Sequence, residues 1–370
     1  MVAADSLKFP PDRLVARSLE VILENQSPSG AFIASPHFPT YAFCWFRDSS
    51  YITYALDLYG EHAASARFHA WAASVINRRS EIMERALQKA AAGEPLNDAD
   101  ILHTRFTLDG EENITSAWEN FQLDGFGSWL WALTEHQKLS AEQLPAEWIQ
   151  AARITADYLK GLWCHPCYDC WEEFGREIHL HTLAAIYGGL TAYGNLTGDR
   201  RDSTTETIKA FVTEHGQADD HWQKFLGNSQ VDASLLSLST PYRLVDPHDP
   251  VMLHTVERIE ADLCRGGVKR YLTDLYYGGG EWILLAAWLG WYWWEVGKKE
   301  KAWQLRQWIE AQADEQGWLP EQVPQNLNNA TMYAPWVQRW GPIARPLLWS
   351  HAEYLILCHT MQVVRAGLGY

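Results

Sequence analysis

Two glutamates stand apart from the other acidic residues of this 370-residue chain by the company they keep. Glu172 lies in Asp169-Cys170-Trp171-Glu172-Glu173. The indole of Trp171 can desolvate a neighbouring carboxyl, and Asp169 and Glu173 add like charge. Both effects favour the protonated form that a general acid needs. Glu321 follows Pro320 at the end of the apolar segment Gly317-Trp318-Leu319-Pro320, where the proline ring fixes the backbone. Cleaving a glycosidic bond needs two such groups: one protonates the leaving oxygen, and the other activates water or attacks carbon. On local context alone each glutamate also fits a solvated loop carboxylate, Glu172 as an acidic turn capping the helix that follows.

The surrounding composition narrows the partner. Twenty tryptophans and sixteen tyrosines supply core packing, and some of them suit a sugar site. An indole ring offers a face to the C–H side of a pyranose and an N–H to its hydroxyls. The formal charge of −16, without a basic patch, argues against nucleic acid, because phosphate binding needs clustered Lys and Arg. A small neutral oligosaccharide fits this balance, and no cofactor is implied. The start Met1-Val-Ala-Ala-Asp-Ser-Leu-Lys-Phe-Pro-Pro lacks the basic and apolar runs of a signal peptide. The apolar run Trp282 to Trp294 is too short to span a bilayer. A cytoplasmic protein without membrane attachment is expected; oligomeric state leaves no signal.

Cys164, Cys167 and Cys170 form C-x-x-C-x-x-C, with His179 and His181 nearby. The spacing can supply zinc ligands, but structural zinc sites pair two such knuckles and no second one follows. Reduced thiols in a loop, with no metal, are the expectation.

The elements that must position these residues are helical nearly throughout. Apolar residues recur at helical spacing over 13–25, 49–59, 63–91, 126–138, 146–162, 178–196, 201–214, 231–238, 250–263, 281–296, 299–313 and 346–364, about twelve helices. Packed as antiparallel pairs, they can close into a double ring with odd helices outside and even ones inside. Segments leading into the inner helices then share one face. Those segments carry Trp45-Phe46-Arg47-Asp48, Trp118-Glu119, Trp171-Glu172-Glu173, Arg270-Tyr271 with Tyr276 to Trp282, and Pro320-Glu321-Gln322. No linker divides residues 1–370, so a single domain is expected.

These junctions, together with Leu108-Asp109-Gly110-Glu111, Gln122-Leu123-Asp124-Gly125-Phe126-Gly127, Tyr276-Tyr277-Gly278-Gly279-Gly280 and Pro346-Leu347-Leu348-Trp349-Ser350-His351-Ala352, occur in the order found in glycoside hydrolase family 15. The chain resembles that family over almost its whole length. The resemblance implies an all-α (α/α)6 barrel and an inverting, exo-acting α-glucosidase that releases β-glucose from the non-reducing end. It further implies Glu172 as general acid and Glu321 as general base. Arg47 and Asp48 match a pair that holds hydroxyls of the terminal glucose, and Arg270 a second sugar-binding arginine. Trp45, Trp118 and Trp171 match aromatic walls, and Glu173 a contact to the leaving sugar. Inversion needs room for water, so a carboxyl separation of roughly 6.5–9.5 Å is expected, against roughly 5 Å for retention.

The leading β-sandwich and the starch-binding module of starch-acting relatives are not recognised, and the segments around 111–118 and the seventh helix are short. The chain is similar in this to single-domain bacterial members, which points to short oligosaccharides and α-1,6 (isomaltose-type) linkages. Rival substrates on the same fold are α-1,4 oligosaccharides, trehalose and dextran ends. Rival chemistries are epimerisation or unsaturated-uronide hydrolysis, for which histidines such as His179, His181, His351 and His359 would have to act. A catalytically inactive sugar-binding barrel is the reading of another class.

Overall fold

The computed structural model describes residues 7–112, 117–198 and 203–361. The apolar stripes become α1 (Pro11–Glu24), α2 (Phe46–Leu58), α3 (His62–Asn77), α4 (Ser80–Ala91), α5 (Asp124–Ser140), α6 (Ala146–Leu162) and α7 (Leu180–Thr197). They continue as α8 (Thr204–His215), α9 (Pro250–Leu263), α10 (Ile283–Glu295), α11 (Lys299–Glu310), α12 (Tyr333–Trp340) and α13 (Leu348–Thr360). Local signals mark several ends. Asp249 caps α9 by accepting from the N–H groups of Val251 and Met252, and Pro250 occupies the first turn. α7 stops where Gly198 adopts the left-handed conformation.

Burial sorts the helices into two layers. α10 is buried on every side from Ile283 to Trp293, as a helix apolar all round must be. It belongs to an inner ring of α2, α5, α7, the 3-10 helix Ala233–Leu238, α10 and α13, each packed on the next, with α13 returning to α2. α1, α3, α6, α8, α9 and α11 pack against the outside of that ring. This is the all-α (α/α)6 barrel, with outer and inner helices alternating as expected. The crossing of α5 and α7 is close. A Cβ at Gly127 would fall 2.3 Å from the Ala185 carbonyl oxygen, and one at Gly189 2.4 Å from that of Gly127. Only glycine lets those backbones meet.

The expected helix 63–91 is two helices. Arg79 leaves helical geometry between α3 and α4, because its buried guanidinium turns inward to the Gly110 carbonyl at 2.9 Å and Glu112 at 2.8 Å and lies over the Phe106 ring. Hydrophobic periodicity runs straight through that break. The eighth expected helix is the 3-10 helix Ala233–Leu238, and α12 was not anticipated. Residues 201–202 of the expected seventh helix, 362–364 of the last, the start of the chain and part of the short 111–118 segment lie outside the described residues.

Two-residue antiparallel ladders pin the entrances of α2 and α10: β1 (Cys44–Trp45) pairs with β2 (Arg105–Phe106), and β5 (Glu281–Trp282) with β6 (Gln322–Val323). A third ladder joins β3 (Gln217–Ala218) to β4 (His221–Trp222). Among the described residues no helix is long and apolar enough to cross a membrane.

Deep in the ring, Glu353 on α13 accepts from the Trp349 indole N–H at 3.1 Å, while its second oxygen has no partner. Burial pushes its carboxyl from the ordinary 4.5 up to about 8. With the folded pKa above the unfolded one, stability declines as pH rises between them. Glu353→Gln, which mimics the neutral acid, is expected to leave the thermal midpoint unchanged at pH 4 and raise it by a few degrees at pH 9. An equal change at both pH values would contradict this account.

Candidate active site

The segments entering the inner ring converge on one cavity of about 710 Å³, within the size range of small-ligand sites. All nine residues expected at the site line it: Trp45, Arg47, Asp48, Trp118, Trp171, Glu172, Glu173, Arg270 and Glu321.

Arg47 and Asp48 lie in the first turn of α2, directly after the β1 ladder. The Arg47 guanidinium donates to Gln122 Oε1 at 2.9 Å and Asp124 Oδ2 at 3.1 Å, and approaches Glu172 at 4.0 Å. Burial disfavours its charge, but Asp124, Asp48 and Glu172 outweigh that and raise its pKa. For Asp48, burial wins over the 3.6 Å contact with Arg47 and pushes its carboxyl up to about 7.

Glu172 sits at φ 67°, in the left-handed region that a side chain rarely adopts. Its Oε1 accepts from the Trp45 indole at 2.8 Å and the Gln122 amide at 3.1 Å. The flanking carboxylates are engaged elsewhere. Asp169 faces Lys224 at 3.3 Å, and Glu173 accepts from the Tyr271 hydroxyl and from Arg270 at 3.4 Å. Their side chains are therefore held by partners of their own rather than presented to Glu172 as free like charges. Arg270 is itself locked to Asp274 and ringed by Trp171, Tyr271, Tyr276 and Trp282.

Glu321 directly precedes β6 and is 2 % exposed. Its Oε1 accepts from the Tyr41 hydroxyl at 2.9 Å, which in turn meets the Tyr276 hydroxyl at 2.8 Å. Its Oε2 has no hydrogen-bond partner of good geometry. Burial drives its carboxyl up to about 7, against the pull of Tyr41 and Arg270. The two glutamates thus enter from separate segments, Glu172 held by an indole and an amide, Glu321 by a phenol.

Several lining residues had not been singled out. Tyr41 lies in a stretch with no distinguishing pattern. Trp349 is the floor under Arg47, 5.6 Å from the guanidinium. Trp336, Arg339 and Trp340 project from α12, with the arginine over both indoles at 5.3 and 5.1 Å. Their i, i+3, i+4 spacing is the one signal that could have revealed a helix face there.

None of the histidines considered for proton transfer lines the cavity. His351 accepts from the Leu319 N–H and meets Ser18, and His181 meets Ser237. Cys164 is exposed while Cys167 and Cys170 are buried, and they do not converge with a histidine. Among the described residues the one group near metal-ligand spacing is Asp57, His62 and His136 at the far end of α2. Asp57 Oδ1 lies 2.8 and 2.9 Å from the two imidazoles. Those are hydrogen-bond spacings, shorter than the ~3.3 Å between ligand atoms around a tetrahedral zinc.

Residues 12–335 match the profile of Glycosyl hydrolases family 15. The chain belongs to glycosyl hydrolase family 15. Isomaltose glucohydrolase of Kribbella flavida is 40 % identical over 353 residues, 93 % of this chain and 91 % of that protein. Trehalase 1 of Sulfolobus acidocaldarius is 26 % identical over 277 residues, 72 % of this chain and 48 % of that protein. A solved wild-type glycosidase superposes with a TM-score of 0.92 at 38 % identity, covering 98 % of this chain and 99 % of that one. A bacterial glucoamylase solved with acarbose shares the fold, with a TM-score of 0.73 at 18 % identity over 97 % of this chain and 57 % of that one. The family membership makes this chain a glycoside hydrolase, an α-glucosidase acting on oligosaccharides.

A reaction that needs Glu321 ionised gains rate as pH rises through about 7. Tyr41→Phe removes the donor that stabilises the carboxylate, so the acidic limb of kcat/KM is expected to move to higher pH by about one unit, the size of one hydrogen bond to a charged group. An unmoved limb would separate Tyr41 from the ionisation of Glu321.

Proposed function

We propose that this enzyme releases β-D-glucose from the non-reducing end of short α-gluco-oligosaccharides with inversion, and that isomaltose-type α-1,6 linkages are its preferred bonds. In this reading Glu172, protonated, gives its proton to the glycosidic oxygen as the bond to the anomeric carbon breaks. Glu321, ionised, takes a proton from the water whose oxygen bonds to that carbon. Glu172 ends as a carboxylate and Glu321 as an acid, and exchange with solvent restores both.

One observation carries the assignment: a nearly buried glutamate with one oxygen held by Tyr41 and the other unpartnered lines the same cavity as Glu172. A general base needs that free oxygen to receive water. Arg47 and Asp48 offer donors and acceptors for adjacent hydroxyls of the terminal glucose, and Arg270 with Glu173 does so farther along. Trp45, Trp118 and Trp171 supply the ring-stacking walls. Arg47 and Asp48 are both buried, which favours exo action, since a chain terminus reaches such a pair more readily than an internal unit. The described residues form one ring closed by α13 on α2, which supports treating residues 1–370 as a single catalytic domain. The α-1,6 preference draws on the similarity to the Kribbella flavida isomaltose glucohydrolase over nearly the whole chain.

Two measurements test this. Glu172→Gln and Glu321→Gln should each lower kcat on isomaltose by about 10²-fold or more; undiminished glucose release by either would remove that residue from its role. Across isomaltose, maltose, panose, trehalose and dextran, kcat/KM should be highest for isomaltose. A preference for trehalose or maltose would overturn the linkage assignment while leaving the mechanism intact.

A further inference from the structure

Glu172 occupies a strained turn, and something must hold it there. The turn is closed from below by Asp169. Its Oδ1 accepts from the backbone N–H of Trp171 at 3.0 Å and of Glu173 at 2.9 Å, the two residues on either side of Glu172. The Asp169 carbonyl accepts from the Glu172 N–H at 2.9 Å. The side chain of Trp171 is held separately, its indole N–H donating to both oxygens of Asp232 at 3.1 and 3.0 Å. Asp169 and Asp232 are both almost wholly buried, and one cation lies between them: Lys224, itself 4 % exposed. It pairs with Asp169 at 3.3 Å and, more tightly, with Asp232. Its ammonium also sits 3.8 Å from the centre of the Tyr271 ring, whose hydroxyl donates to Glu173. Burial opposes charge on Lys224, but the two aspartates outweigh it and raise its pKa.

We infer that Lys224 is a positioning residue for the general acid, clamping the 169–173 turn through Asp169 and Asp232 so that Glu172 keeps its left-handed backbone and its aim into the cavity. Lys224 does not itself line the cavity, so it acts through the turn. Without the ammonium, two buried carboxylates face each other uncompensated, which is strongly destabilising for a buried pair. Either they protonate or the turn opens. In both cases Asp169 and Asp232 loosen their hold on Trp171 and Glu173, and Glu172 relaxes from a backbone conformation that persists only where its surroundings over-determine it. The inference rests on Glu172 being the acid.

Substrates that differ in their need for an acid read the effect. Cleavage of isomaltose needs protonation of a sugar alkoxide; α-D-glucosyl fluoride loses fluoride with far less help. Lys224→Met is expected to lower kcat on isomaltose by about 10²-fold and on the fluoride by less than ~10-fold, with any rise in KM for isomaltose smaller than the fall in kcat. Lys224→Arg, which keeps the charge, should recover most of the loss. Asp232→Asn, which keeps an acceptor for the Trp171 indole, gives the same selective pattern in milder form and serves if Lys224→Met does not fold by circular dichroism. Equal losses on both substrates, or no loss in any folded variant, would overturn the inference. Glu172→Gln measured in parallel separates the two claims. If it too lacks the selective loss, the acid assignment has failed; if it shows the loss and the Lys224 and Asp232 variants do not, only the clamp has.

Discussion

The buried guanidinium of Arg47 is the point on which the site depends. From the first turn of α2 it reaches Gln122 and Asp124 at the start of α5, approaches Glu172 on its turn, and lies over Trp349 on α13. Three entrances to the inner ring and the turn that carries Glu172 are thus tied to one cation. Such a group is expensive to bury unless its charge is met, and here Asp124 supplies the opposing charge at 3.1 Å while Gln122 takes a second bond from the same nitrogen. Gln122 then passes the constraint on, its amide donating to Glu172 while its oxygen accepts from Arg47. Asp124 offsets the guanidinium charge, so the cation that ties these segments together does not oppose a transition state that resembles an oxocarbenium cation.

The two glutamates owe their difference to how the chain delivers them. Glu172 is placed by a strained turn and held by neutral donors from Trp45 and Gln122. Glu321 is placed by Pro320 and the β5–β6 ladder, nearly out of solvent, with a phenol on one oxygen. Burial, opposed by the Tyr41 hydroxyl, raises its carboxyl to about 7, so its proton affinity is suited to accepting a proton from water near neutral pH. Asymmetric support of this kind is what a reaction with distinct acid and base roles needs.

Much of this was legible in the sequence. Inner helices such as α10 announce themselves by being apolar on all sides, and outer ones such as α1 by a single stripe. About twelve helical stripes in sequence, packed as antiparallel pairs, predict the double ring. Trp, Arg, Asp and Glu gather before the inner helices because those junctions share a face, which is why all nine expected residues meet in one cavity. What stayed hidden depends on contacts between distant segments. The break at Arg79 comes from a pull toward Gly110 and Glu112, which periodicity does not encode. Tyr41 reads as an ordinary loop tyrosine until the fold sets it 280 positions away against Glu321. Lys224 looks like a surface lysine, and only the fold buries it between two aspartates.

The central claim is that Glu172 and Glu321 act from opposite faces of the anomeric carbon in one displacement. Proton NMR of isomaltose hydrolysis, followed at high enzyme concentration before mutarotation, tests it most directly. The account predicts that the first glucose signal from the non-reducing unit is that of the β anomer, with the α signal growing only at the rate of mutarotation. Initial release of the α anomer would contradict it.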